Sequence, residues 1–278
     1  MEINCLKIAT EILEKLKEEF FNYLQLGKQI FVVDLLSSEN KESLKYAQIK
    51  KAIANQLGIN FSIVFFHSED ELKKLIVGLN NDKNINGYIL QFPIPKSFNI
   101  YEIIKLIDYK KDIDGISVNS ILSGYLNYQN PKIFLPCTVS AILKVLDNLQ
   151  VDLCGKKVVI INRSLIIGKP LFHCLMNKNA TVTMCHEKTK NLKKICQAAN
   201  VIISAIGKPN FFDQQYVNSD SIIIDCGINY VGNKVVGDFD MFKISDVVKY
   251  YTPVPNGIGK LTTTLFFENL LKLIKKKF

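Results

Sequence analysis

Short apolar runs rich in Val, Ile, Phe and Tyr recur along this 278-residue chain, and segments with helical periodicity lie between them. The candidate strands are residues 30–35, 61–66, 88–91, 157–161, 180–185, 201–206, 221–226 and 250–252. The intervening patterns predict helices over 41–57, 69–79, 100–107 and 192–199. Several runs are continuous Val/Ile stretches, as expected of strands buried on both faces. Strict alternation of this kind predicts βαβ units, so the fold class is α/β with parallel sheets and helices on both sides.

A loop-rich stretch over 110–136 divides the alternation into two blocks, and a helix over 139–149 leads into the second. A last helix over 262–276 is free to return to either. The expected division is a first domain of residues 1–138 with 261–278 and a second of residues 139–260. Residues 1–20 read as an amphipathic helix, without a secretory or transit signal, and no apolar run approaches the roughly 20 residues of a membrane span. The cysteines are scattered without a C-x-x-C pair, and three histidines join them. This predicts a reducing cytoplasm and no metal site. The net charge of +9 is spread along the chain as lysine. A bias toward lysine in residue usage accounts for it first, attraction of small polyanionic ligands second, and it gives no focused nucleic-acid surface.

Arg163 is the only arginine among 35 basic residues. It follows the run over 157–161 in Asn162-Arg163-Ser164-Leu165-Ile166-Ile167-Gly168, a strand, a turn and the start of a helix. Guanidinium grips phosphate through two parallel hydrogen bonds, which a lysine cannot do. The order resembles a dinucleotide-binding turn, although only Gly168 of the usual glycines is present and Asn162 holds the turn position. Asn tolerates left-handed backbone, and amides at a helix start can bind pyrophosphate. The next run ends at His186 and Glu187, where such folds read the adenosine ribose. A surface ion pair and an unliganded crossover fit the same residues.

Ser43, Tyr46 and Lys50 are spaced to share one sector of a helix, beside an apolar stripe formed by Ile49, Ile53 and Leu57. That puts Lys50 at the margin of the buried face, where a lysine sheds part of its hydration and exchanges protons more easily near neutrality. A snorkelling lysine and a core-edge tyrosine have the same spacing. Gln91 ends a strand before Phe92-Pro93-Ile94-Pro95, and Asp112 and Asp114 precede Gly115.

Together these segments resemble the bifunctional methylenetetrahydrofolate dehydrogenase/cyclohydrolase family. The matching pieces are Ser43-x-x-Tyr46-x-x-x-Lys50, Gly87 through Gln91 to Pro95, Lys111-Asp-Ile-Asp114-Gly115, Pro136-Cys137-Thr138, Arg163-Ser164 with Gly168 and Pro170, His186, Asp225-x-Gly227-Ile228-Asn229, Gly237-Asp238, and Thr252-Pro-Val-Pro255 with Gly257 and Gly259. They follow the family's order over nearly the whole chain. The resemblance implies an N-terminal α/β folate domain, a Rossmann-like NAD(P)-binding domain, an active site in the cleft between them, and a homodimer acting on tetrahydrofolate derivatives. It implies Lys50 as acid/base of the hydrolytic step, Gln91 as its partner, Tyr46 as an orienting residue stacked on the pterin and Asp114 as the carboxylate for the pterin's amino-pyrimidine edge. Ser43, Pro255 and Gly257 complete the substrate site, while Asn162, Arg163, Ser164, Gly168, His186, Glu187, Gly207 and Ile228 line the cofactor site.

The departures from the family pattern are as specific as the matches. Asn162 and Asn256 replace glycines, Lys260 replaces a proline, Val139 and Ala141 replace a Pro and a Gly, and residues 116–124 are shortened. Glu187 stands where a small or basic residue commonly meets the 2′-phosphate of NADP, so NADP is the expected cofactor, with Glu187 either turned out to solvent or reducing the preference so that NAD is admitted. The alternatives are a different two-domain dehydrogenase, such as one resembling shikimate dehydrogenase, and a degenerate family member.

Overall fold

The computed structural model describes residues 1–38, 41–127, 133–232 and 234–276. In chain order the elements are α1 (Cys5–Gln25), β1 (Phe31–Ser37), α2 (Lys41–Gln56), β2 (Asn60–Phe66), α3 (Glu69–Asn81), β3 (Gly87–Leu90), α4 (Ile100–Leu106), α5 (Val118–Asn127) and α6 (Cys137–Asn148). There follow β4 (Lys157–Ile161), α7 (Gly168–Met176), β5 (Thr181–Cys185), α8 (Leu192–Gln197), β6 (Val201–Ser204), β7 (Ile222–Asp225), β8 (Asn229–Val231), β9 (Lys234–Val236), α9 (Met241–Ile244), β10 (Tyr250–Tyr251) and α10 (Ile258–Lys276).

The chain forms two compact units, Thr10–Cys137 with Thr263–Phe278, and Met1–Ala9 with Thr138–Thr262. In the first of these units, β1 lies between β2 and β3, and all three are parallel. The β1 residues from Val32 to Ser37 are all buried, as a central strand covered on both faces requires. Ser68 caps α3 by accepting from the Glu71 amide, and three acidic residues in its first turn suit the positive end of the helix dipole.

In the other unit the parallel order is β10-β7-β6-β4-β5. The chain runs from β4 outward to β5 and then back across to β6, so the strand order reverses between β4 and β6. Ligands of doubly wound sheets bind outside the carboxyl ends of strands at such a reversal. Val159, Ile161, Ile202, Ile223, Phe212 and Phe239 belong to the buried core on one face of this sheet.

Two differences from the expected organisation have simple causes. The first residues belong with the second unit because they extend its sheet: Glu2 bridges Tyr251 in parallel, Ile3 N donates to Tyr251 O at 2.8 Å, and Tyr251 N donates to Met1 O at 3.1 Å. The stretch over 110–136 contains a helix, α5, whose exposed Leu122, Tyr125 and Leu126 blur its periodicity; residues 128–132 of that stretch lie outside the described residues. The hairpin of β8 and β9 has strands too short to show in the sequence pattern. Among the described residues, no helix is long and apolar enough to cross a membrane.

Candidate active site

Lys50 does not sit at the margin of its helix. The buried face of α2 runs through Ser43, Ala47, Lys50 and Ala54 and on to Leu57 just past its end, the alternating four- and three-residue spacing of a single stripe, with Ile53 buried beside it. Ile49, expected within the apolar stripe, is 42% exposed. The inward face is therefore rotated toward two small alanines, and Lys50 is fully enclosed.

Its ammonium group has three neighbours. It donates to Gln91 Oε1 at 2.5 Å, lies 2.6 Å from Asp34 Oδ2, and sits 5.0 Å from the centre of the Phe266 ring on α10. The ring face attracts a cation. Gln91 is fixed in turn, because its backbone N–H donates to Leu35 O at 2.9 Å and its side-chain amide to Phe92 O at 3.0 Å. Ser43 and Tyr46 are carried on the same helix, Ser43 buried and Tyr46 partly so.

Asp34 was not among the expected site residues. It occupies the middle of β1, opposite Ile63 of β2 and Ile89 of β3. Beyond the Lys50 contact, neither carboxylate oxygen has a hydrogen-bond partner among the described residues. Burial pushes its proton affinity up, and the Lys50 ammonium draws it back.

The Asp112–Asp114 pair divides its work. Asp112 is buried and accepts from the amides of Gly115, Ile116 and Ser117 at 2.9, 3.2 and 2.7 Å and from Ser120 Oγ at 2.8 Å. It thus organises the turn that presents Asp114. Gly115 has φ +75° and packs against the Leu135 carbonyl, where a Cβ would collide. Asp114 accepts from the Cys137 amide at 3.3 Å. Burial first and the Asp112 charge second push its carboxyl up to about 7, partly offset by that amide and by Lys50.

In the second unit, the turn after β4 is built on the side chain of Asn162. Its Oδ1 accepts from Ser164 N at 2.8 Å and Gly168 N at 3.1 Å, and its Nδ2 donates to Ala205 O at 2.5 Å. This ties the end of β4 to the end of β6 at the strand reversal. Asn162 is not among the positive-φ residues, so it replaces a glycine by bonding and not by left-handed backbone. Asn256 does take that conformation, with φ 73°. A Cβ on Gly168 would run into the Asn162 carbonyl, so α7 begins against this turn only with glycine there.

Arg163 Nη2 donates to Glu187 Oε1 in a pair whose side chains are 54% and 56% exposed. Bonding to its own backbone amide first, and Arg163 after it, hold the Glu187 carboxyl below the usual range. His186 closes the same turn, donating its amide to Thr189 Oγ1 at 2.9 Å and accepting at Nδ1 from Lys188 N at 3.1 Å. Gly207 has φ +67°, and Ile228 leaves its side chain partly exposed. The loops bearing them are fixed by Asp238, which accepts from Ile206 N, Lys208 N and Ser204 Oγ at 2.7, 3.0 and 2.7 Å and from Asn229 Nδ2 at 3.1 Å. Asp225 supports it, accepting from the amides of Gly227, Asp238 and Phe239 at 2.8, 3.1 and 2.9 Å. Pro255 and Gly257 belong to this unit, in the turn between β10 and α10.

Models of two adjoining domains match this chain: the tetrahydrofolate dehydrogenase/cyclohydrolase catalytic domain over residues 3–114 and the NAD(P)-binding domain of the same enzymes over residues 136–278. The chain belongs to the tetrahydrofolate dehydrogenase/cyclohydrolase family. A curated relative, the bifunctional protein FolD of Malacoplasma penetrans, is 41% identical over 100% of this chain and 99% of its own. Among solved structures, the bifunctional FolD enzyme of Campylobacter jejuni superposes with a TM-score of 0.92 at 32% identity, covering 100% of this chain and 99% of that one. The Trypanosoma brucei FolD, solved with NADP cofactor and an inhibitor, has a TM-score of 0.92 at 25% identity, covering 100% and 98%. The two-domain α/β architecture, with an N-terminal catalytic domain and a Rossmann-like NAD(P)-binding domain, is that of the family.

The expected tetrahydrofolate-family residues fall into groups. Lys50 and Gln91 meet directly, and Asp114 lies within the electrostatic reach of Lys50. Asn162, Ser164 and Gly168 form one turn, and Arg163 meets Glu187.

Proposed function

We propose that this chain oxidises 5,10-methylenetetrahydrofolate to the 5,10-methenyl compound with NAD(P) and hydrolyses that product to 10-formyltetrahydrofolate. The observation that carries the reading is the buried Lys50 ammonium held at 2.5 Å by Gln91, in a chain whose family performs both steps. A proton-transfer group fixed in a dry site is worth about 10²- to 10⁴-fold in rate.

In this reading Lys50 takes a proton from the water that adds to the methenyl carbon and returns one to the departing ring nitrogen. Gln91 fixes the Lys50 nitrogen in one position. Tyr46 orients the pterin by stacking, with Ser43 at the same helix face, and Pro255 and Gly257 shape the turn assigned to the substrate. Asp114 meets the donor-rich amino-pyrimidine edge. Its carboxyl, pushed up to about 7, is steadied in the ionised form by donors arriving from the substrate.

The bound cofactor supplies the hydride acceptor. The turn made by Asn162, Ser164 and Gly168 fits a dinucleotide: it lies at the strand reversal, and the absent Cβ of Gly168 lets α7 start directly against it. Gly207 and Ile228 line the same site, with His186, Arg163 and Glu187 at the ribose end. NADP is the assigned cofactor, its advantage over NAD narrowed because Glu187 occupies the guanidinium that would grip a 2′-phosphate. The free cysteines agree with a reducing cytoplasm, and a homodimer is the expected assembly, testable by light scattering.

A spectrophotometric assay with methylenetetrahydrofolate and either cofactor, following reduced nicotinamide and the methenyl chromophore together, tests both steps. The expected trace shows reduced cofactor accumulating while the methenyl signal stays low. Absence of reduced cofactor with both nucleotides would overturn the assignment.

A further inference from the structure

Asp34 is an expensive residue to keep at the centre of a parallel strand. Its side chain is wholly buried, with Ile63 and Ile89 as its register neighbours, and Lys50 is its one charged contact among the described residues. A buried ion pair is often no more stable than a well-packed apolar pair of similar volume, so stability is a weak reason for it. Beyond that contact the two carboxylate oxygens have no hydrogen-bond donor among the described residues, which leaves the anion poorly stabilised and ready to take a proton. The other groups around the pair are Gln91 at the end of β3, the Phe266 ring of α10, and the Asp114 carboxyl, which feels Lys50. Asp112 and Glu268 stand further off, their charges registering at Asp114 and at Cys137.

We propose that Asp34 is the positioning residue of Lys50 and the store for its proton, so that the two act as one acid/base unit. This deepens the reading of Lys50 given above and rests on it. A methenyl cation beside Lys50 disfavours a second positive charge there. When the cation forms, an N–H bond of the ammonium breaks and an O–H bond forms at Asp34 Oδ2, leaving a neutral amine beside a neutral carboxyl. The amine lone pair accepts a proton from water as its oxygen bonds to the methenyl carbon. The resulting ammonium protonates the leaving ring nitrogen, and the amine then takes the hydroxyl proton of the collapsing adduct. Asp34 releases its stored proton to solvent, which restores the ion pair. One water is consumed and one proton is released, with no oxidant or reductant required.

The test is Asp34→Asn, nearly isosteric and unable to ionise, compared with the parent in methenyltetrahydrofolate hydrolysis across pH and in the dehydrogenase assay. The hydrolytic kcat is expected to fall about tenfold or more, with KM within about twofold and a smaller loss in the dehydrogenase step. The limb of the pH–rate profile moves to lower pH, because the carboxylate that holds the proton-bearing form is gone. A merely structural role would lower the rate without moving that limb. If Asp34→Asn does not melt cooperatively, Asp34→Thr, suited to a strand, carries the same test. Lys50→Met run in parallel separates the two ways of failing. Parental hydrolysis by Lys50→Met overturns the acid/base role of Lys50 and this inference with it. An inactive Lys50→Met beside Asp34 variants with an unmoved limb overturns the role of Asp34 alone.

Discussion

Lys50–Asp34 and Arg163–Glu187 are both cation–carboxylate pairs, yet the first is 1% and 0% exposed and the second 54% and 56%. Coulomb attraction in water is about 1 kcal/mol at 4 Å and several times that where protein replaces solvent. Burial also removes hydration, so the inner pair is held together by attraction and set against itself by desolvation. The outer pair loses little hydration and can open whenever a better partner arrives. The contrast suits the different work proposed for them, the inner pair to move protons and the outer pair to select among ligands.

The largest expected effect comes from removing the inner cation. Lys50→Met should lower methenyltetrahydrofolate hydrolysis by about 10²- to 10⁴-fold while leaving part of the dehydrogenase rate, measured by cofactor reduction. Normal hydrolysis by this variant would refute the comparison at its root. Next is the energetic asymmetry of burial. Asp34→Ala leaves an uncompensated ammonium in the core and should cost about 3–5 kcal/mol in denaturant unfolding, whereas Asp34→Leu combined with Lys50→Met should restore much of that stability. Equal stability of the two variants would mean that the pair is less dry than its burial implies.

Asp114 tests the same physics without a cation in direct contact. Its carboxyl is raised from the ordinary 3.8 to about 7, so the stability it contributes is fully present below about pH 4 and is lost as pH rises through about 7. Asp114→Asn does not titrate and should flatten that part of the stability curve. Each tenfold change in proton affinity is about 1.4 kcal/mol, and the solvent-facing edge of the residue discounts the gain at pH 8 to on the order of 2 kcal/mol. The same variant should bind folate more weakly, since an amide meets donors less well than a carboxylate. Parallel pH–stability curves for parent and variant would exclude the buried-acid account.

Much of this was legible in the chain because long Val/Ile runs and helical spacing are strong signals. The run over 157–161 became β4 without a shifted boundary. Lys50 was found through its motif but misplaced on its helix, because Ala47 and Ala54 contribute little hydrophobic signal and exposed Ile49 contributes much. Asp34 was invisible for a different reason. A lone acid in an apolar run reads as a strand irregularity, and only its 2.6 Å contact with Lys50, 16 positions away in another element, gives it meaning. Asp225 and Asp238 carried motifs whose work proves to be holding the loops of Gly207 and Ile228, since several backbone amides converge on each.

The smallest effect expected is at the outer pair, and it concerns choice more than rate. With Glu187 on Arg163, a 2′-phosphate must displace a carboxylate before it can be gripped, whereas NAD has nothing to place there. Glu187→Ser should therefore lower KM for NADP by about fivefold or less, the scale of an exposed ion pair, and leave KM for NAD nearly unchanged. The melting temperature should not move, since both side chains stay in water. Raising salt from about 0.05 M to about 0.5 M should shrink the difference between variant and parent, because the Debye length falls from about 14 Å to about 4 Å. An NADP-to-NAD ratio that is the same in Glu187→Ser and the parent at low salt would show that Arg163 is not the group reading the ribose. The outer pair would then be an ordinary surface contact.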